Sequence, residues 1–394
     1  MSDPFRPKVS FMTYREVLIA IDGATGRLCR TQHLAQAILA IAADGGLETP
    51  GGERIMPVPV LLGRNAEKLA AQAAAAGNLR WSTDRDAVLS DPSIDVYFDA
   101  SSTAGRADRA RAAIAAGKHV YLEKPIALSV DEALDLARLA ERAGLKNGTV
   151  QDKLCLPGIR KLSRLSSEGF FGEIYSVRLD FGWWIFDGVN VPAQRSSWNY
   201  KKAEGGGLIL DMFPHWRYIL EHFVGPISAV SCQARTRMPV RRDESGKDYR
   251  VDVEDDVLAT FEFENGVLAQ IDSSWASRVH NHDMLTIQVD GSKGSATAGL
   301  HRCFLQPLGA TPKPRWSVDS FDPQDFSDQW MEMPDIEPIH NGYRDGWEKF
   351  LRHVVLDTPF GATLLEGAKG VQLVEACHRS QAERRWIDLP RLML

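Results

Sequence analysis

Between residues 17 and 150 the chain alternates short apolar runs with longer alanine-rich stretches. The runs at 17–21 (VLIAI), 58–62 (VPVLL), 95–99 (DVYFD) and 119–122 (HVYL) are brief, rich in branched and aromatic residues, and predict buried strands. The stretches at 32–43, 67–76, 104–116 and 130–143 repeat their apolar positions at helical period. Strand–helix alternation of this kind predicts βαβ units, hence a parallel sheet covered on both faces. The segment 44–57 (DGGLETPGGERIMP) breaks the rhythm with Gly and Pro and reads as a surface insertion.

Beyond residue 150 the period shortens. Runs at 174–181, 227–235, 257–263, 267–274 and 284–289 alternate apolar with polar positions, and Glu264-Asn265-Gly266 supplies a hairpin turn between two of them. Helical stretches stand at 157–168, 208–223, 342–356 and 364–384. The pattern predicts a mostly antiparallel sheet with helices on one face, an α+β domain. Two domains are expected, 1–150 and 151–394. Residues 307–340 are proline-rich without clear period and read as a long loop or arm.

Composition narrows the function classes. The chain has 394 residues, which suits two domains, and 46 Lys+Arg against 52 Asp+Glu leave a net charge of −6. That balance, with no basic stripe, argues against a nucleic-acid partner. Five widely spaced cysteines without a CxxC argue against a disulfide framework or a structural zinc site, and suit a reducing cytoplasm. The first residues contain no apolar leader run. The most apolar stretch, 34–43, is too short to span a bilayer.

After the first strand comes Gly23-Ala24-Thr25-Gly26-Arg27-Leu28-Cys29. Glycines at a strand–helix turn let the backbone approach a pyrophosphate, which the helix N-terminus then stabilises. The spacing is GxxGxx in place of GxGxxG, with Cys29 where a third small residue would stand. The alternative reading of the turn is a tight βα connection alone. At the end of the second strand stands Gly63-Arg64-Asn65 instead of the acid that binds an NAD ribose. Arg64 suits a 2′-phosphate, so NADP is preferred over NAD. The expected cofactor contacts are Gly23, Thr25, Gly26, Arg27, Arg64, Asn65, Ser101, Glu123 and Lys124.

Two segments carry the chemistry: Gly117 to Pro125 (GKHVYLEKP) and Gly205 to His215 (GGGLILDMFPH). Together they resemble the glucose–fructose oxidoreductase / inositol dehydrogenase / MocA family, whose markers are EKP after a strand and GGG…DxxxH downstream. The loop spacing is also similar to that of dihydrodipicolinate reductases, to which those two markers do not belong. The resemblance implies a Rossmann domain followed by an open-faced α+β domain for substrate and oligomer contacts. It implies hydride transfer between NAD(P) and a ring secondary alcohol of a sugar, glycoside or cyclitol. It implies catalytic roles for Lys124, Asp211 and His215, and a homodimer or homotetramer packed through the open face.

The residue chemistry fits those roles. A histidine titrates near neutrality and suits exchange of a hydroxyl proton. Asp211 and His215 are four apart and share a helical face, so the carboxylate could hold the imidazole or a neighbouring substrate hydroxyl. Asp211 could instead cap the helix. Lys124 precedes Pro125, which favours extended backbone there. Pro214 requires that the helix start close to Asp211 or that the pair's geometry change.

Candidate substrate contacts are Lys153, Trp183, Arg195, Trp198, Asp211 and His215. Trp183, Trp184, Trp198 and Tyr200 could stack on sugar C–H faces or serve as core. Arg195, Lys201 and Lys202 would favour an anionic substrate if turned inward. The group Asp211, His215, Glu221 and His222 lacks metal-ligand spacing, so no metal is expected. The leading function is an NAD(P)-dependent sugar or cyclitol dehydrogenase. The alternatives are an oxidoreductive glycoside-cleaving enzyme that recycles its cofactor and a non-catalytic nucleotide or metabolite sensor on the same fold.

Overall fold

In the first sheet the parallel strands lie in the spatial order Arg80–Ser82, Arg54–Leu62, Tyr14–Asp22, Val96–Asp99, His119–Leu122 and Asn147–Thr149. Successive strands run outward in opposite directions from the first, so the topological switch falls between Tyr14–Asp22 and Val96–Asp99. The computed structural model describes residues 13–184, 196–279, 283–313, 325–335 and 341–394.

The Gly/Pro-rich segment is more ordered than a surface insertion. Leu47–Glu48 pairs antiparallel with Arg54 and Ile55, so the second strand begins at Arg54 and not at residue 58. Arg54 fastens the turn by donating to the carbonyls of Gly45 (2.6 Å) and Gly46 (2.7 Å). Pro57 and Pro59 fall between the stretches paired to Leu47–Glu48 and to Arg80–Ser82, where the strand lacks an outer neighbour.

Two helices from the end of the chain return to this sheet. Gly342–Leu356 places Trp347, Phe350 and Leu351 against Phe98 and Tyr121 on one face. Leu364–Glu383 contributes Leu364, Ala368 and Val371 to the core on the other face, with Ile126 and Leu136. Linear periodicity predicts these helices but contains nothing about which sheet they cover.

The second sheet has nine strands among the described residues. They run Met331–Glu332, Cys303–Pro307, Gly294–Ala298, Leu285–Gly291, Ile174–Gly182, Leu268–Ser274, Asp256–Phe263, Ile227–Arg235 and Ile387–Asp388. Pairing is antiparallel except between Ile174–Gly182 and Leu268–Ser274. Pro157–Ser167, Leu208–Phe223 and Leu364–Glu383 supply buried side chains to the core on one face. The opposite face carries exposed Arg178, Asp180, Gln270, Asp272, Leu258 and Leu268. Of the expected arm, Met331–Glu332 joins the sheet edge, while 314–324 and 336–340 lie outside the described residues. No helix of the described residues is long and apolar enough to cross a membrane.

Candidate active site

The strand His119–Leu122 delivers Glu123, Lys124 and Pro125 to the carboxyl edge of the first sheet, with the Lys124–Pro125 peptide cis. One buried guanidinium fixes this turn. Arg106 donates through Nη1 to the carbonyl of Glu123 (3.0 Å) and through Nη2 to that of Ser101 (2.6 Å). The Glu123 carboxylate is also held: it accepts from the Lys124 amide (3.0 Å) and lies 2.8 Å from His33 Nε2. Trp347 Nε1–H donates to His33 Nδ1 at 3.1 Å. A pyrrole-type nitrogen can only donate, so the His33 hydrogen sits on Nε2 and is given to Glu123.

The triple glycine is demanded by close backbone packing. A Cβ on Gly206 would lie 2.4 Å from the Asn199 carbonyl oxygen, and Gly207 has φ 120°, a region closed to other residues. The helix Leu208–Phe223 starts immediately after, and Glu254 closes its open end. The Glu254 carbonyl accepts from the Leu208 amide (3.1 Å), and its carboxylate accepts from the Ile209 amide (2.8 Å). Asp211 is therefore inside the first turns and is not the cap. Pro214 is interior as well, and its ring packs against Gly370, where a Cβ would lie 3.1 Å from the Pro214 Cβ.

Lys124 and Asp211 meet directly. Nζ donates to Asp211 Oδ1 at 2.7 Å and to its carbonyl oxygen at 2.8 Å. Thus the carboxylate is engaged by the ammonium. The imidazole of His215, one turn on, has other partners: Nδ1 is 2.6 Å from Tyr218 Oη and 4.0 Å from Asp152 Oδ1. Asp152 and Lys153 form an ion pair at 2.5 Å, and the Lys153 amide donates to Tyr218 Oη at 3.2 Å.

These charges set the proton affinities. Burial, then the Lys124 and Lys153 cations, push His215 well below its ordinary value, against the opposing carboxylates of Asp152 and Asp211. Burial would raise Asp152, but Lys153, His215 and Lys124 hold it down at about 2. Burial and the nearby Asp152 raise Tyr218. The site at neutral pH therefore holds a neutral imidazole beside an ionised carboxylate and a neutral phenol.

At the switch point, a Cβ on Gly23 would lie 2.6 Å from the Ser101 amide nitrogen, so the first glycine is required by close approach of the two strand ends. Gly26 is exposed, and the amides of Thr25, Arg27 and Leu28 have no backbone acceptor among the described residues. Free amides opening a helix form a cradle for a pyrophosphate, so these residues fit a dinucleotide. Cys29 is fully buried where the third small residue would stand. The Ser101 hydroxyl is turned inward, donating to Asp99 at 2.7 Å. Arg64 is exposed and makes no ion pair with the described residues. Asn65 caps the next helix by accepting from the Lys68 amide at 2.9 Å.

The remaining candidates are scattered. Trp183 packs partly buried against the core of the second sheet, and Trp184 lies beneath Arg278. Trp198 is partly exposed, with its carbonyl 2.7 Å from the position a Gly206 Cβ would take. Tyr200 is fully buried under the Arg241 guanidinium and is core. Lys201 pairs with Glu204, and Lys202 is exposed. Glu221 accepts from the Ile227 amide and pairs with Arg217. Arg195 lies outside the described residues. Sequence reasoning missed His33, Arg106, Asp152 and Tyr218. Only Tyr218 carried a local signal, three residues after His215 on the same helix face.

Residues 47–150 match the oxidoreductase family with an NAD-binding Rossmann fold, and residues 159–297 match the GFO/IDH/MocA C-terminal domain. D-xylose dehydrogenase of Paenarthrobacter nicotinovorans is 44% identical over 382 residues, covering 96% of this chain and 98% of that protein. 1,5-Anhydro-D-fructose reductase of Ensifer adhaerens is 28% identical over 270 residues, 67% of this chain and 73% of that protein. A solved levoglucosan dehydrogenase in complex with NADH and levoglucosan shares the fold, with a TM-score of 0.80 at 20% identity over 96% of this chain and 100% of that one. Both sheets, both sequence markers and a near-full-length relative agree: the chain belongs to the GFO/IDH/MocA family of oxidoreductases.

Proposed function

We propose that this protein is a nicotinamide-dependent dehydrogenase of pyranose sugars, with D-xylose or a close aldose as substrate. The observation that carries this reading is the convergence of Lys124, Asp211 and His215 at the carboxyl edge of the first sheet, in a chain 44% identical to a D-xylose dehydrogenase. A nicotinamide bound across the switch point supplies hydride acceptance and return. The protein handles the proton. His215 is neutral and takes the hydroxyl proton. The Lys124 ammonium, steadied by Asp211, hydrogen-bonds the reacting oxygen and stabilises it as charge develops. Lys153 lies one ion pair away from His215 and is the candidate contact for a neighbouring sugar hydroxyl.

NADP is the preferred cofactor in this reading. The support is Arg64, exposed and without an ion pair among the described residues, at the end of the second strand, where Gly63-Arg64-Asn65 contains no acid to receive a ribose hydroxyl. The working form is a homodimer or homotetramer joined through the uncovered face of the second sheet, where Leu258 and Leu268 are exposed. Five free, buried thiols suit a cytoplasmic location.

The test is initial-rate formation of reduced cofactor from NADP and NAD with D-xylose, other aldoses, anhydrosugars and cyclitols. Accumulation of reduced cofactor with an aldose supports the reading. Glycoside cleavage without accumulation indicates the recycling enzyme, and nucleotide binding without turnover of any compound indicates the sensor.

A further inference from the structure

The carboxylate of Glu123 stands one residue before Lys124, is buried, and has both oxygens engaged. Oε2 accepts from the Lys124 amide at 3.0 Å, and Oε1 lies 2.8 Å from His33 Nε2. His33 comes from the helix Cys29–Ile38 that leaves the dinucleotide cradle, and it is fully buried against the rings of Phe98 and Tyr343. Its other nitrogen, Nδ1, accepts from Trp347 Nε1–H at 3.1 Å. Trp347 lies on Gly342–Leu356, whose capping residue Asn341 also donates to Gln32 (2.8 Å) and Gln36 (2.6 Å) on either side of His33.

We propose that His33 is a positioning residue for Lys124: as a neutral ring with its one hydrogen on Nε2, it fixes the Glu123 carboxylate, and the carboxylate fixes the Lys124 backbone. This rests on the reading of the site as a sugar dehydrogenase.

Counting donors and acceptors sets every hydrogen in this chain of contacts. An indole N–H can only donate, so His33 Nδ1 must offer its lone pair. The ring hydrogen is then on Nε2, the ring is not doubly protonated, and Glu123 Oε1 accepts. The chain runs one way, from Trp347 through His33 to Glu123, where it meets the amide of the residue whose Nζ lies 2.7 Å from Asp211 Oδ1. Lys124 is thus held at both ends, its backbone by Glu123 and its ammonium by Asp211. Without the His33 donor a buried carboxylate oxygen loses its partner, and the carboxylate that holds the lysine amide is free to turn. Displacing a reacting group by about 1 Å costs up to about a hundredfold in rate.

Three readouts test this. Nitrogen-15 NMR of histidine-labelled protein, with His33 picked out of the ten histidines by its loss in His33→Leu, is expected to show a protonated Nε2 and a bare Nδ1. Amide hydrogen exchange at Lys124, assigned through Lys124→Met, should be about tenfold faster or more in His33→Leu than in the wild type. In the same variant kcat should fall about tenfold or more, with the sugar KM changed less than about threefold. His33→Gln keeps one donor and one acceptor on the side chain, and should restore Lys124 exchange and kcat to within about threefold of the wild type. A merely structural role would lower the urea midpoint of His33→Leu and leave kcat and Lys124 exchange of the folded protein as they were. If His33→Leu does not fold, Trp347→Phe, which removes the indole donor, is expected to let a hydrogen onto Nδ1 and to speed Lys124 exchange.

A wild-type His33 with its hydrogen on Nδ1, or a folded His33→Leu with unchanged Lys124 exchange or unchanged kcat, overturns the proposal. The exchange needs no turnover to be read. A wild type that oxidises no sugar would therefore remove the functional reading, while the exchange still decides whether His33 holds Lys124.

Discussion

Nζ of Lys124 lies 2.7 Å from Oδ1 of Asp211 and 2.8 Å from the carbonyl oxygen of the same residue. This one ammonium joins the turn after the strand His119–Leu122 to the helix that opens behind the triple glycine. Both side chains are largely buried, so the pair is strengthened by the low local dielectric and is costly to break on one side only.

Replacing Lys124 with Met keeps the length of the side chain and removes its charge. The expected result is a fall in kcat of about a hundredfold or more, because the proposed reaction uses Lys124 as the donor to the reacting oxygen. Dinucleotide binding, measured by fluorescence titration, should persist, since the Thr25–Leu28 cradle is untouched, although weakened by whatever contact Lys124 itself makes to the cofactor.

The lowered proton affinity of His215 has two consequences with one sign. In the unfolded chain the ring takes a proton near pH 6.5, whereas in the folded protein burial and the Lys124 and Lys153 cations keep it neutral to lower pH. The unfolded state then binds more protons just below pH 6.5, so stability is full above that value and declines as pH falls through it. His119, lowered by burial, and His222, lowered by burial and by Lys349, act in the same direction. Urea midpoints should be lower at about pH 5.5 than at about pH 7.5. Asp152, held at about 2, adds no slope in that window. The acid limb of kcat/KM should lie below pH 6.5, and Lys153→Met, which removes one of the cations, should raise it.

Gly206→Ala tests the backbone logic of the triple glycine. Its Cβ would lie 2.4 Å from the Asn199 carbonyl oxygen and 2.7 Å from that of Trp198. Neither backbone group can rotate away, so a loss of about 1–3 kcal/mol is expected by denaturant titration. Activity should fall further than stability alone explains, because the strain is released at the start of the helix that carries Asp211 and His215.

Much of this architecture is legible in the sequence, for reasons that differ by element. The helices 208–223 and 342–356 end where their apolar period ends, and Gln32–Ala43 is recognisable although Cys29–Ile38 is wound as a π-helix. The strands Gly294–Ala298 and Cys303–Pro307 escape notice because the first (GSATA) has no large apolar residue and the second (CFLQP) is too short to show alternation. In the site, Lys124, Asp211 and His215 stand out by their match to the family markers EKP and GGG…DxxxH. What those markers could not supply is partner choice. Asp211 shares a helix face with His215, but an ammonium 87 residues away in sequence takes its carboxylate. His33 and Trp347 reach Glu123 from distant segments, and no local pattern encodes a contact of that kind.

Arg64→Ala isolates the cofactor argument. Loss of a charge-assisted contact to a 2′-phosphate should weaken NADP binding about tenfold to a hundredfold and leave NAD within about twofold. Equal effects on both cofactors would mean that Arg64 is a solvated loop residue.

A dimer or tetramer through the open sheet face predicts light scattering at a multiple of the 43.7 kDa chain mass. Leu258→Asp with Leu268→Asp should then shift the protein towards monomer.

The central claim is sugar oxidation through Lys124 and His215. Its most direct test is the initial rate of reduced-cofactor formation with D-xylose for the wild type, Lys124→Met and His215→Asn, each shown to be folded and to bind the dinucleotide. The account predicts turnover by the wild type and a loss of about a hundredfold or more in both variants. Wild-type rates in either folded variant, or no oxidation of any aldose by the wild type with either cofactor, would contradict it.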